Sequence, residues 1–518
     1  MLRRQVPTAL AIVTWALTAN GANAQDLASR IAAVTDAPEY RHGRWGLLVA
    51  QADNGRIVYE RNADQLFIPA STTKLYSCSA ALHALGSDYR FETPVYRRGP
   101  VEGGRLRGDL ILVASGDLTM GGRTLPDGTL AFANNDHTYA DATTTTDALT
   151  PTDPLAGLTA LAKEVKAAGI DRVDGEVLID PRLFDAATSS GSGPRLVTPI
   201  VVNDNVIDII IKPATAVDRP AAVTLRPESA FVTLDAQVQT MAEGRPAIEV
   251  LHPAAGKLII RGRIPVGAKS QLRTAPVDDP TSFARTLLIE SLRREGVAVV
   301  ASPLQEPRVD LPERDAYGRM TRVAAFVSPP FSEVVKVTLK VSHNLYASTM
   351  LLLVAAKHGE RTAAAGLRRQ RDFLRDLGVD LDAVSFAGGA GGERADATTP
   401  RATVSLLMAL AKRPEWPAIE AGLPVLGTDG TLASSATRES PAAGHVRAKT
   451  GTLWYEDVMN GRPMLRSKAV AGTMTTARGT KLAFAIFVND VPLPRGVTPS
   501  REGKTLGRLC EIFYEHAD

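Results

Sequence analysis

Two apolar, β-prone runs near the start of the chain flank the turn signal Asp53-Asn54-Gly55. This pattern predicts a β-hairpin. Apolar residues then recur at helical spacing from Leu75 to Leu85, and Gly86 can end that helix. The first elements are therefore a hairpin followed by a helix that starts shortly after Pro69.

The next 200 or so residues carry short β-prone runs between Gly, Pro and Asp turns, which predict a mostly β region. Two helices are expected within it, over 154–168 and 281–295, the second capped by Thr281 or Ser282. The strand candidates are GDLILVASGD, VDGEVLID, NDNVIDIIIKP, AAVTLRPES, AFVTLDAQV and GKLIIRGRIP.

From about Ser328 the pattern becomes helical, and it remains so to about Ala421. Three strand candidates follow, GHVRAKTGTLW, SKAVAGTMTTA and TKLAFAIFVND, and a helix over 501–515 ends the chain. The two ends of the sequence together predict one α/β domain, into which the β-rich middle is inserted.

Composition changes this picture only slightly. A chain of 518 residues is too long for one ordinary core. The net charge of +3 argues neither for nor against nucleic-acid or membrane binding. An aromatic content of 5% argues against stacking platforms for single-stranded nucleic acid, so we expect no nucleic-acid partner. The eight histidines show no ligand-like spacing, so no metal or other cofactor is expected.

The N-terminus combines Arg3 and Arg4 with an apolar run from Ala9 to Leu17 and then Ala22-Asn23-Ala24. This order predicts a signal peptide over 1–24, cleaved after Ala24. The alternative is a membrane anchor, but the apolar run is shorter than a span needs. We therefore expect an exported, periplasmic protein whose mature chain has no membrane span.

Export would permit a disulfide between Cys78 and Cys510, the two cysteines of the chain. Cysteine is also frequently buried as a small apolar residue, which favours two free thiols. The sequence leaves the pairing open.

Ser71 lies three residues before Lys74 where the first helix begins, and residues at this spacing share one helical face. A neutral lysine amine can take the proton of a serine hydroxyl, and the helix N-terminus favours developing negative charge. The plain alternative is that Ser71 caps the helix and Lys74 is solvated.

Two further motifs follow. Ser342-His343-Asn344 falls between two predicted helices, where it can present polar side chains or merely cap the second helix. Lys449-Thr450-Gly451 fits a strand, with Lys449 and Gly451 on one face and Thr450 and Thr452 on the other. The alternative is that this is an ordinary exposed edge strand, in which the charged lysine prevents pairing with other chains and aggregation.

Together and in this order, the three motifs resemble the SxxK, SDN and KTG set of penicillin-binding proteins and class A β-lactamases, with His343 in place of Asp. Ser342 follows Ser71 by 271 residues, far more than in β-lactamases. That spacing resembles peptidase family S13, the penicillin-binding protein 4-like D-Ala-D-Ala carboxypeptidases and endopeptidases. Other matching phrases are GDLILVASGD, VDGEVLIDPRLFD, VNDNVIDI and LPVLGTDGTL.

The resemblance implies a multi-domain α/β fold: a β-lactamase/transpeptidase-like domain, with an antiparallel sheet flanked by helices, and two mainly β domains inserted between the SxxK and SxN motifs. The implied limits are 25–91 and 315–518 for the catalytic domain, 92–181 and 265–314 for the first insert, and 182–264 for the second.

The resemblance also implies a catalytic set. Ser71 would attack the carbonyl of a D-Ala-D-Ala or D-Ala-diaminopimelate bond, and Lys74 would accept its proton. Ser342 would pass a proton to the leaving amine, and Asn344 would hold the substrate amide. The N–H groups of Ser71 and Thr452 would form the oxyanion hole.

A substrate-binding set follows in the same way. Lys449 and Thr450 would attract the terminal carboxylate, beside Gly451 and Thr452. Asp180 would meet the amine of a stem-peptide side chain, or else is a turn residue. The implied partners are peptidoglycan stem peptides, with β-lactams as covalent inhibitors.

Two segments depart from the family pattern, GGAGGERADATTP (388–400) and a longer stretch between Leu453 and Lys468. The first segment keeps open the alternative of a peptidoglycan-binding protein with impaired turnover. A serine β-lactamase is the other alternative, although the 271-residue spacing speaks against it. The balance of carboxypeptidase and endopeptidase activity, the stem-peptide chemistry and the oligomeric state do not follow from the sequence.

Overall fold

A computed structural model describes residues 25–517. The helices, in chain order, are α1 (25–35), α2 (Lys74–Leu85), α3 (Ala156–Ala167), α4 (Pro280–Arg294), α5 (Phe331–Lys340), α6 (Asn344–Lys357), α7 (Ala363–Asp376), α8 (Pro400–Leu410), α9 (Trp416–Gly422) and α10 (Ser500–His516). The strands are β1 (Arg44–Gln51), β2 (Ile57–Arg61), β3 (Glu92–Arg98), β4 (Val101–Glu102), β5 (Arg105–Leu106), β6 (Asp109–Val113), β7 (Arg172–Val173), β8 (Val177–Asp180), β9 (Ala187–Thr188), β10 (Leu196–Val197), β11 (Val206–Lys212), β12 (Ala222–Arg226), β13 (Thr233–Met241), β14 (Ala247–Ala254), β15 (Lys257–Pro265), β16 (Gln271–Pro276), β17 (Ala298–Val299), β18 (Thr321–Val327), β19 (Val384–Ser385), β20 (Ala397–Thr398), β21 (Val446–Asp457), β22 (Arg462–Thr475) and β23 (Lys481–Pro492).

The two ends of the chain meet in one antiparallel sheet with the strand order β2-β1-β23-β22-β21. This confirms the N-terminal hairpin and the three C-terminal strands. In β1, Leu47 and Val49 enter the core on one side of the sheet, and Leu48 and Ala50 enter the core on the other. Because both faces are covered, the strand is apolar along most of its length.

Helices pack against both faces of this sheet. On one side the core includes Leu75 of α2, Leu345 of α6 and Leu406 of α8. On the other side it includes Ile31 of α1 and Phe513 of α10. The antiparallel sheet flanked by helices is therefore confirmed, and β21 lies at its edge.

The inserted region is mainly β, as expected. Its larger sheets have the orders β18-β3-β6-β8, β17-β7-β5-β4, β12-β11-β16 and β13-β15-β14, and helices α3 and α4 pack together beside them. Leu112, Ile209 and Ile260 belong to one continuous core that joins these parts. The division into two inserted domains stays a prediction, and β18 pairs with β3 although it follows the predicted limit at 314.

The predicted cap of α4 is wrong. The carboxylate of Asp279 accepts hydrogen bonds from the N–H groups of Thr281 and Ser282, so the cap precedes both candidates. Pro280 at the first helical position has no N–H to satisfy, which suits this arrangement.

Both cysteines are free and buried, which confirms the expectation of two thiols. Cys78 and Cys510 lie in the cores on opposite sides of the main sheet. Burial raises the pKa of each thiol to about 12, so both are protonated and unreactive at neutral pH.

Within residues 25–517, no helix has both the length and the apolar character to cross a membrane. The predicted signal peptide, 1–24, falls outside the described residues.

Candidate active site

Ser71 sits on a tight turn at the start of α2. A short 3-10 helix, Ala70–Thr73, leads directly into the α-helix, and Ala70 has a positive φ of 46°. Two glycines allow this turn to pack closely: a Cβ on Gly391 would lie 1.9 Å from the Ala70 carbonyl oxygen, and one on Gly451 would lie 2.6 Å from the Pro69 oxygen. The packing fixes the Ser71 hydroxyl at the rim of a cleft.

The Lys74 amine lies beneath Ser71 and is fully buried. Its Nζ is 2.8 Å from Ser71 Oγ, 2.7 Å from Asn344 Oδ1 and 2.8 Å from the Ala390 carbonyl oxygen. Burial lowers the pKa of Lys74 to about 7, although the Asp396 carboxylate acts in the opposite direction. A neutral amine can donate to the two oxygens of Asn344 and Ala390 and offer its lone pair to the serine hydroxyl.

The Ser342-His343-Asn344 segment forms a strained turn between α5 and α6. Ser342 has a φ of 63°, which is uncommon for a residue with a side chain. The Tyr139 hydroxyl holds the turn: it donates to the Ser342 carbonyl oxygen (2.9 Å) and accepts from the Asn344 N–H (2.7 Å). The Asn344 side chain donates to the Ser192 carbonyl oxygen. The Ser342 side chain lines the cleft.

His343 is the actual cap of α6, because its ring accepts from the Tyr346 N–H. The ring stacks on Tyr346 at 3.8 Å, and burial lowers the pKa of His343 to about 4. His343 is therefore a neutral structural residue, and the cap of α6 is neither Ser342 nor Asn344.

A buried ionic cluster supports this turn from the inserted region. Arg123 pairs with Asp136 (2.9 Å) and Asp204 (2.6 Å), and Asp204 also binds His137 and the Tyr346 hydroxyl. Asp136 and Asp204 lie close enough to His343 to hold a metal ion. Arg123 pairs with both carboxylates, and His137 adds a second positive charge because the carboxylates of Asp208 and Asp204 raise its pKa to about 10 against the effect of burial. The cluster is therefore explained without a metal ion.

The Lys449-Thr450-Gly451 strand is β21, as predicted, and its alternation is confirmed. Thr450 and Thr452 face the cleft, whereas Gly451 packs against the Ser71 turn. The Lys449 amine is fully buried and donates to the Thr450 carbonyl oxygen at 2.8 Å. Burial and the nearby Lys74 hold the pKa of Lys449 well below its usual range.

The cleft that contains Ser71 has a volume of about 690 Å³. Both departures from the family pattern border it: Gly391 to Arg394 form one wall, and Trp454 and Tyr455 extend from the β21–β22 hairpin. The tip of that hairpin is exposed, with Val458 at 84% and Met459 at 87%.

The structure thus brings together eight of the nine sequence-predicted residues, with Lys449 beneath the cleft surface rather than on it. The ninth, Asp180, does not line the cleft. Its carboxylate is engaged by the Arg182 guanidinium (2.6 and 2.8 Å) and the Tyr317 hydroxyl (2.7 Å), and these contacts leave the acid 3% exposed.

Sequence reasoning missed three contributors. Tyr139 and the segment from Thr188 to Arg195 come from the inserted region and face the SxN turn. Lys468 of β22 adds an amine to the cleft. None belongs to a recognisable motif. Lys468 does lie within the predicted strand SKAVAGTMTTA, and the pairing of that strand with the KTG strand would have placed it at the cleft.

A serine hydroxyl bound to a buried lysine amine, surrounded by a Ser-x-Asn turn and a Lys-Thr-Gly edge strand, defines a serine acyl-transfer enzyme of the penicillin-binding type. The family model for the D-Ala-D-Ala carboxypeptidase 3 (S13) family matches residues 27–503. The chain belongs to this family, and it is a serine-type DD-peptidase.

Several known proteins align with most of this chain. A D-alanyl-D-alanine carboxypeptidase of Actinomadura sp. (strain R39) is 27% identical over 479 residues, which is 86% of this chain and 79% of that protein. The D-alanyl-D-alanine carboxypeptidase DacB of Haemophilus influenzae is 23% identical, covering 86% of this chain and 85% of its own length. The crystal structure of penicillin binding protein 4 from Haemophilus influenzae superposes with a TM-score of 0.68 and 20% identity, over 95% of this chain and 99% of that one.

Proposed function

We propose that Ser71 is the nucleophile and Lys74 the general base of a peptidoglycan DD-peptidase. The observation that carries this proposal is the 2.8 Å contact between the Lys74 amine and the Ser71 hydroxyl, made by a lysine whose pKa of about 7 permits a neutral amine at physiological pH. A general base needs this combination of reach and proton affinity.

In the first step, Ser71 Oγ forms a bond to the carbonyl carbon of the penultimate D-alanine, and its proton moves to the Lys74 amine. The N–H groups of Ser71 and Thr452 stabilise the oxyanion. The carbon–nitrogen bond then breaks, and the proton returns from Lys74 to the leaving amine through the Ser342 hydroxyl. Water hydrolyses the resulting ester on Ser71 and frees the enzyme.

Asn344 holds the substrate amide in this scheme, and the hydroxyl of Thr450 faces the leaving group from β21. The substrates we propose are peptidoglycan stem peptides that end in D-Ala-D-Ala and cross-links between D-Ala and diaminopimelate. The size of the cleft and its open form suit a peptide chain. This activity also fits the proposed export of the protein. Cell fractionation tests the export, and the N-terminal sequence of the mature chain tests the cleavage site.

β-Lactams are proposed as covalent inhibitors, since they present a reactive amide to the same serine. A second structure of the Haemophilus influenzae penicillin binding protein 4 is described as a complex with a β-lactam. The fold is shared between that protein and this chain.

Fluorescent penicillin followed by intact-mass spectrometry tests the proposal. The unmodified protein should gain one acyl group on Ser71, and the Ser71→Ala variant should gain none. Defined muropeptides, with product analysis by mass spectrometry, then report whether D-alanine or a cross-linked stem is released.

The alternatives give different results. A protein that binds peptidoglycan without turnover would release no product from any muropeptide, and failure to label would exclude Ser71 as the nucleophile. Rapid release of hydrolysed penicillin would instead indicate a β-lactamase.

A further inference from the structure

Lys468 lies directly across from Thr452 in the pairing of β22 with β21. Side chains at such opposite positions project from the same face of a sheet. The Lys468 amine donates to Thr452 Oγ1 at 2.8 Å, and both residues line the cleft of Ser71. Gly451, the neighbour of Thr452, packs against the Ser71 N–H, so this amine is held close to the proposed reaction centre.

The Lys468 amine has no carboxylate within ion-pair distance among residues 25–517. The acid that influences it from α10 is Glu502, which is fully buried and binds the Tyr40 hydroxyl and Arg501. Burial lowers the pKa of Lys468 to about 8, while Glu502 raises it. A partly desolvated cation without an anion gains more from an incoming carboxylate than a solvated one does.

Lys449, the lysine that the sequence assigned to a carboxylate, is placed differently. Its amine is fully buried, donates to the Thr450 carbonyl oxygen and is absent from the cleft surface. An anion in the cleft therefore meets the hydroxyls of Thr450 and Thr452 and the amine of Lys468. The other cations of the cleft, Arg195 and Arg394, are exposed on the walls formed by the inserted region and the 391–394 segment.

We propose that Lys468 is a specificity-determining residue that binds the free carboxylate of the substrate, together with the hydroxyls of Thr450 and Thr452. In a peptide that ends in D-Ala-D-Ala, this carboxylate belongs to the leaving residue, one carbon away from the scissile nitrogen. The inference rests on the proposed function, which supplies the direction of the peptide along β21.

The test compares N-acyl-D-Ala-D-Ala with its C-terminal amide, which lacks the charge. We expect Lys468→Gln to lower kcat/KM for the acid by roughly 10- to 100-fold, the range that the loss of one charge-assisted hydrogen bond produces. Hydrolysis of the amide should stay unchanged, and Lys468→Arg should retain most of the preference for the acid. Lys481→Gln, an exposed lysine at the start of β23, serves as the matched control and should behave like the parent protein.

Calorimetric binding of the same two peptides to Ser71→Ala separates this inference from the proposed function, because binding needs no turnover. A preference for the acid that disappears in Ser71→Ala/Lys468→Gln supports the inference even if the parent protein hydrolyses neither peptide. Equal losses for acid and amide, or a preference that depends on Arg394 instead, would overturn it. Thermal melting of Lys468→Gln shows whether an equal loss comes from unfolding.

Discussion

The rate at which Ser71 is acylated should depend on pH through the protonation of Lys74. Below its pKa the amine carries three N–H bonds, which point at Ser71 Oγ, Asn344 Oδ1 and the Ala390 carbonyl oxygen. It then has no lone pair to accept the serine proton. Raising the pH through the pKa of Lys74 frees that lone pair, so acylation should accelerate.

The magnitude follows from the lowered pKa. With a value of about 7, roughly half of the Lys74 amines are neutral at pH 7 and about 1% at pH 5. We therefore expect acylation to slow about tenfold per pH unit below neutrality. A solvated lysine would be neutral in fewer than about one molecule in a thousand at pH 7. Burial sets the low pKa of this amine and therefore the position of the curve, and the Asp396 carboxylate opposes it.

The assay is rapid-mixing acylation by fluorescent penicillin from pH 5 to 9, with thermal melting at each pH to confirm folding. Lys74→Met, which removes the base and retains the volume, should be acylated very slowly at every pH. A rate that stays level between pH 5 and 8 in the parent protein would refute the assignment of Lys74 as the base.

Three further predictions concern the surrounding structure. Tyr139→Phe removes the hydroxyl that bridges the Ser342 carbonyl oxygen and the Asn344 N–H, so acylation measured in the same assay should slow about 10- to 100-fold, and an unchanged rate would contradict the positioning role. Gly391→Ala should lower the free energy of unfolding in urea by about 3 kcal/mol or more, because the added Cβ would overlap the Ala70 backbone. Gly359→Ala, at a positive φ in open space, is the control and should lower it by about 1 kcal/mol. Equal losses would show that the contact between Gly391 and Ala70 is unimportant. A thiol reagent should find two reactive cysteines per chain in denaturant and none in the folded protein, and fewer than two in denaturant would indicate a bridge.

The sequence pattern predicted those parts of the fold that depend on residues close together in the chain. The Asp53-Asn54-Gly55 turn, the helix after Ser71 and the alternation of Thr450 and Thr452 all follow from neighbouring residues, and the structure has each of them. The closeness of Ser71, Ser342 and Lys449 was instead predicted by the resemblance to a family, because no periodicity relates segments so far apart.

The surroundings of Lys449, Asp180 and His343 depend on long-range packing, which no local pattern predicts. The position of Lys449 on β21 was predicted. Whether its side chain faces the cleft or the core depends on helices elsewhere in the chain. Asp180 ends a predicted strand as expected, but the Tyr317 hydroxyl, far away in sequence, binds its carboxylate and helps to bury it. The use of His343 as the cap of α6 likewise depends on tertiary packing, because its ring stacks on Tyr346.

The Lys74 amine beneath Ser71 and the Lys468 amine in the cleft have opposite protonation requirements. Lys74 acts as a base only when neutral, above about pH 7, whereas Lys468 binds a carboxylate only when charged, below about pH 8. For a substrate with a free carboxylate, kcat/KM should therefore pass through a maximum between these values. Lys468→Gln should lose the alkaline limb and retain the acidic one, and the amide substrate should show the same single limb with the parent protein. An alkaline limb that survives in Lys468→Gln would mean that another group binds the carboxylate.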